Sequence, residues 1–272
     1  MTNAVRTEYV ALPTENDLDL RAYVARPAGP GRYPGVVVIH EIFGLDGHIE
    51  DMSRRLAGVG YTVIAPDLYS VDTFGKTLTA DEVSQALGVM MSIPPSQRGE
   101  PKALGEGLGK LPADQATRIQ QVMGWLFSRD LSVLLPHIGR AIDWLRAQPE
   151  ATGKIGMTGF CYGGGMTLRA AFAGLALDAA APFYGGNPPL ETVAQVACPL
   201  LLMYGREDER LIGDLPKLLD ALTRAGKSYE LHLYEGAAHA FMNDTRPKVY
   251  HDRAATDAWS QLTGFFARHL GG

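Results

Sequence analysis

From residue 35 onward, six short apolar runs punctuate the chain: "GVVVIH" (35–40), "YTVIAP" (61–66), "KIGMTG" (154–159), "AAAPFYG" (179–185), "PLLLMYG" (199–205) and "YELHLYEG" (229–236). Each is too short for a buried helix, and amphipathic segments separate them. Strands buried on both faces, alternating with helices, make a mostly parallel sheet wound doubly, with helices on both of its faces. The spacing predicts helices over about 48–58, 131–148, 162–174, 211–225 and 249–268. Before this pattern starts, "RTEYVAL" and "DLDLRAYVARP" alternate in polarity around the turn-like "PTEND", which reads as an antiparallel strand pair. The expectation is one α/β domain over residues 1–272.

One segment departs from the rhythm. Residues 71–129 contain "SIPPSQRGEPKALGEGLGKLP" and show no strand. They are expected to form an insertion of loops and short helices over the carboxyl edge of the sheet, where open α/β sheets bind ligands.

Composition narrows the partners. Hydrophobic residues make up 46% of the 272, enough for a substantial core, and the net charge of −5 comes from interspersed acids and bases. Without a basic block, nucleic acid is not expected as a partner, and with no long apolar segment neither is a membrane. The reading is a soluble, cytoplasmic monomer or small homo-oligomer. Two cysteines, Cys161 and Cys198, are too few for a disulfide framework and lack zinc-ligand spacing, so no metal or other cofactor is expected.

Cys161 carries the chemistry. Gly159-Phe160-Cys161-Tyr162-Gly163 has the spacing of a nucleophile elbow, G-x-S-x-G, with cysteine in place of serine, between an apolar strand and an alanine-rich helix. A side chain in that turn points away from the sheet and sits at a helix N-terminus, which favours thiolate and oxyanion charge. His239, after the last strand and before the last helix, has the chain position of the base. The acid should follow "PLLLMYG", where "GREDERL" and the residues just after it offer Glu207, Asp208 and Asp214, with Asp208 best placed by the turn. The backbone N–H groups of Tyr162 and Ile42 are the expected oxyanion donors. Glu41, next to Ile42, puts an acid at the mouth of the site. Tyr184 ends a strand on the same edge and could line an acyl pocket or pack in the core.

Taken together, "HEIFG", "PDLY", "GFCYGG", "GREDE" and "GAAHAFMND" resemble the dienelactone hydrolase (carboxymethylenebutenolidase) family of the α/β-hydrolase fold, over essentially the whole chain. The resemblance implies Cys161 as nucleophile, His239 as base, Asp208 as acid, and Glu41 as a group that holds and releases the resting thiol. It implies a small-molecule ester or lactone substrate. Family members acting on dienelactone hold its carboxylate with two arginines; Arg118 in the insertion matches one position, while Asn243 stands at the other, with Arg246 three residues on. A general carboxylesterase or thioesterase would share every one of these groups, and a ligand-binding protein of the same fold is the alternative from another class.

Overall fold

The computed structural model describes residues 4–15, 18–94, 97 and 100–271. Asn16 and Asp17 of the expected first turn, and Pro95, Ser96, Arg98 and Gly99 of the insertion, lie outside the described residues.

Among these residues eight strands form one sheet in the order β1-β2-β4-β3-β5-β6-β7-β8. β1 (Val5–Leu12) and β2 (Leu20–Pro27) are antiparallel, and β2 runs antiparallel to β4 (Thr62–Pro66). From β4 onward the pairs are parallel, through β3 (Tyr33–Ile39), β5 (Ala151–Phe160), β6 (Ala179–Phe183), β7 (Leu200–Gly205) and β8 (Tyr229–Tyr234). The two kinds of strand differ as their sequences predict: β1 is largely exposed at the edge, whereas every residue of β4, β6 and β7 is buried.

Helices cover both faces, and three glycines set how closely they approach. A Cβ at Gly35 would lie 3.1 Å from Leu145 of α5 (Leu135–Arg146), and one at Gly159 would lie 2.3 Å from the carbonyl oxygen of Gly163 in α6 (Tyr162–Phe172). On the opposite face of β5, a Cβ at Gly156 would lie 2.7 Å from Leu270 of α8 (Asp252–Leu270). Successive strand residues point to alternate faces, so Gly156 and Gly159 necessarily serve different layers. α1 (Gly47–Gly58) lies beside α8, with Arg55 stacked 4.3 Å from the Trp259 ring centroid. α7 (Glu209–Arg224) buries Leu211, Leu215, Leu218 and Leu222, a helical stripe.

The insertion is more regular than loops and short helices. It holds α2 (Ala80–Ser92), α3 (Pro101–Leu108) and α4 (Ala113–Ser128), two of them of ordinary length. A capping box starts α2: Thr79 accepts from the Glu82 N–H, and the Glu82 carboxylate accepts from the Thr79 N–H. In α4 the buried Ile119, Val122, Met123 and Leu126 form the i, i+3, i+4, i+7 stripe of an amphipathic helix, which the glycines and prolines just upstream obscure. These helices share a second hydrophobic cluster with Tyr69, and Ile42, Phe43 and Tyr162 pack against it. Met90 belongs to that packing, while Met91 is 70% exposed. Among the described residues no helix is long and apolar enough to cross a membrane.

Candidate active site

β5 turns into α6 through Cys161, whose φ of 55° and ψ of −111° place a non-glycine residue in a strained conformation. The surrounding glycines are there for space. A Cβ at Gly163 would meet the Ile39 carbonyl oxygen at 2.2 Å, and one at Gly164 the Phe183 oxygen at 2.2 Å, so only glycine lets α6 sit against the ends of β3 and β6. The Cys161 N–H is secured on the Phe183 carbonyl at 3.1 Å, and the side chain stays partly open to solvent. Tyr162 begins α6, where N–H groups have no intrahelical acceptor and are free to hold an oxyanion.

His239 lies in the loop between β8 and α8, followed by Ala240 at a φ of 63°. Its Nδ1 is 2.5 Å from Oδ2 of Asp208, the N-cap residue of α7, and Cys161 is a second hydrogen-bond partner of the ring. Burial alone would lower the imidazole pKa, but the neighbouring Cys161 and the Asp208 carboxylate outweigh it and raise it to about 10. The imidazole is thus favoured in its protonated form where it stands beside Asp208 and Cys161. Glu207 is exposed, and Asp214 is engaged by Lys217 at 2.8 Å; of the three candidate acids, Asp208 is the one brought to the histidine.

Glu41 is only 1% exposed. Its carboxylate accepts from Asn243 Nδ2 at 2.7 Å and from the Tyr184 hydroxyl at 3.4 Å. Tyr184, also buried, has its ring centroid 5.1 Å from that of His239, so it packs against that ring with its hydroxyl donated to Glu41. Phe183 is likewise fully buried core.

Three side chains at the site escaped the sequence reading. His40, fully buried, accepts from the Leu68 N–H at Nε2 (3.2 Å), which leaves its proton on Nδ1 to donate to the Glu41 carbonyl at 2.6 Å. Burial lowers its pKa and keeps it neutral, suited to bracing the loop that carries Ile42. Tyr69 donates to the Ile42 carbonyl at 2.7 Å. Arg129, at the end of α4, donates to the Tyr162 hydroxyl at 2.8 Å and stacks 3.7 Å from the Trp125 ring centroid. His40 is the first residue of the quoted "HEIFG" and Tyr69 the last of "PDLY", so both could have been flagged; nothing local marks Arg129.

Arg118 is elsewhere. Its guanidinium pairs with Glu82 at 2.6 Å and lies 4.5 Å from the Phe74 ring centroid, so it ties α4 to α2 rather than facing Cys161 with a free fork. Trp125 is similarly tied to Asp72 at 2.9 Å. Arg246 is exposed and stacked on Phe43, with 4.7 Å from its guanidinium to the ring centroid. Among the described residues no group of three or more His, Cys, Asp or Glu side chains could hold a metal ion.

The profile of the dienelactone hydrolase family matches residues 20–270. The chain belongs to the dienelactone hydrolase family. A protein of Saccharolobus solfataricus provisionally named carboxymethylenebutenolidase is 34% identical over 250 residues, covering 92% of this chain and 94% of that protein. A crystal structure of a provisionally assigned dienelactone hydrolase from Klebsiella pneumoniae superposes with a TM-score of 0.71 at 27% identity, over 97% of this chain and 99% of that one. A dienelactone hydrolase-like promiscuous phosphotriesterase from metagenomic libraries has a TM-score of 0.72 at 21% identity, covering 99% and 100%, a likeness of fold. As a member of this family the protein has the α/β-hydrolase fold and is a dienelactone hydrolase-like hydrolase.

Proposed function

We propose that this protein hydrolyses an ester or lactone bond through an acyl-thioester on Cys161. The supporting observation is the chain of contacts from Asp208 through His239 to Cys161, with the sulfur at a positive-φ elbow. The thiolate adds to the substrate carbonyl, forming the C–S bond while the carbonyl oxygen takes up the negative charge. Ile42 and Tyr162 N–H groups hold that oxyanion. As it collapses, the imidazolium of His239 gives its proton to the leaving alkoxide; in a lactone the leaving group stays attached to the acyl chain. His239, now neutral, takes a proton from water, whose oxygen displaces the thiolate and releases the acid. Asp208 holds the tautomer and steadies the imidazolium.

The test is mass spectrometry of the intact protein during brief exposure to p-nitrophenyl acetate, with nitrophenolate release followed in parallel. A burst and a single transient acetyl adduct at Cys161 are expected, both lost in Cys161→Ala and slowed in His239→Ala. Cys198 should stay unmodified, because it is buried and burial pushes its thiol up to about 11. A burst surviving in Cys161→Ala would overturn the proposal.

A further inference from the structure

A buried carboxylate is tolerated only where cations or hydrogen-bond donors replace its lost water. Among the described residues no cation pairs with Glu41, so its two donors bear that burden. The shorter contact by far is Asn243 Nδ2 at 2.7 Å, against 3.4 Å for the Tyr184 hydroxyl. The amide is locked in orientation as well. Asn243 Oδ1 accepts from the Thr245 hydroxyl at 2.6 Å and from the Thr245 N–H at 3.1 Å, so its NH2 is the group left to face Glu41. The residue itself is 1% exposed, and its own N–H is fixed on the Ala240 carbonyl at 3.0 Å.

This one hydrogen bond joins two loops that are 202 residues apart in sequence. Asn243 belongs to the loop of His239, and Glu41 immediately precedes Ile42. We propose that Asn243 is a positioning residue that, by holding Glu41, keeps the Ile42 N–H in register with the nucleophile for the developing oxyanion. This rests on the proposed acyl transfer at Cys161. Without the amide, Glu41 has one long contact left in a dry site, and the loop relieves it by turning the carboxylate away, which carries the Ile42 N–H with it. The oxyanion exists only after attack on the carbonyl, so the loss belongs to the acylation rate and not to substrate binding.

The pair can be exchanged. In Asn243→Asp alone, the introduced side chain keeps its bonds from Thr245 but sets a second carboxylate against Glu41. In Glu41→Gln combined with Asn243→Asp, the new amide donates to the new carboxylate, its oxygen still accepts from Tyr184, and Thr245 still has its acceptor. Burst kinetics with p-nitrophenyl acetate should show Asn243→Ala acylating about 100-fold more slowly, with little change in the substrate concentration that half-saturates the burst rate. Asn243→Asp should be slower still, and the double variant should be faster than either. Thermal unfolding identifies any variant that fails to fold; if Asn243→Asp does, the comparison of Asn243→Ala with the double variant carries the test. Wild-type acylation in Asn243→Ala, or a folded double variant no faster than Asn243→Ala, overturns the role of Asn243. Persistence of the burst in Cys161→Ala would instead overturn the acyl-transfer reading beneath it.

Discussion

Replacing Gly163 by alanine adds one methyl group where the backbone of β3 leaves no room. That methyl would stand 2.2 Å from the Ile39 carbonyl oxygen and 2.6 Å from that of His40. An ordinary carbon–oxygen approach is about 3.3–3.6 Å, so α6 must retreat by roughly 1 Å, since neither carbonyl is the end of a flexible side chain. The retreat separates the two proposed oxyanion donors, because Tyr162 rides on α6 while Ile42 follows His40 on the opposing loop. A misplacement of roughly 1 Å costs catalysis about 100-fold. The overpacking costs about 1–3 kcal/mol, partly offset by up to about 1 kcal/mol from alanine's better helix propensity. Gly165→Ala is the matched control two residues on: its Cβ would have Gly186 O at 3.6 Å and Gly186 N at 3.7 Å as nearest atoms, ordinary contacts. Initial rates with p-nitrophenyl acetate and thermal unfolding on both variants make the comparison. Gly163→Ala should lose about 100-fold in kcat, and its Tm should fall by several degrees, about 2–4 °C per kcal/mol. Gly165→Ala should keep both. Equal behaviour of the two variants, harmless or harmful, would refute the reasoning.

Two further outcomes are expected. Because the folded value of His239 is raised to about 10, its stabilising contribution is complete below the ordinary histidine value near 6.5 and is lost as pH rises through about 10. An NMR titration should therefore show His239 protonated well above neutrality, with its midpoint falling in Cys161→Ser; a midpoint near 6.5 in the wild type would contradict the ion pair. The two arginines of the insertion should also separate: Arg118→Ala is expected to lower stability by about 1 kcal/mol with kcat/KM unchanged. Arg129→Met should lower kcat/KM roughly tenfold or more, since a charged hydrogen bond to the Tyr162 hydroxyl is lost, and steady-state kinetics showing the reverse order would contradict both assignments.

The apolar runs and the elbow glycines determined a great deal by themselves. Runs such as "GVVVIH" and "PLLLMYG" can be satisfied only by burial on both faces, and Gly159 and Gly163 flank a residue that must occupy a tight turn; these are local constraints, written in spacing. The order Cys161, Asp208, His239 followed from where each strand ends. What tertiary structure alone decided is which side chains meet once the loops converge on the carboxyl edge. Glu207 and Asp208 are adjacent in sequence, yet one faces solvent and the other His239, because the turn before α7 sets their directions. Arg118 matched a family position, yet Glu82 on a neighbouring helix engages it, and Arg129 reaches Tyr162 instead. Asn243 stood where an arginine was expected, and its contact with Glu41 depends on two loops distant in the chain being brought together by the sheet between them. Side-chain hydrogen bonds act over about 3 Å, a distance that no spacing along the chain encodes once the partners lie on different loops.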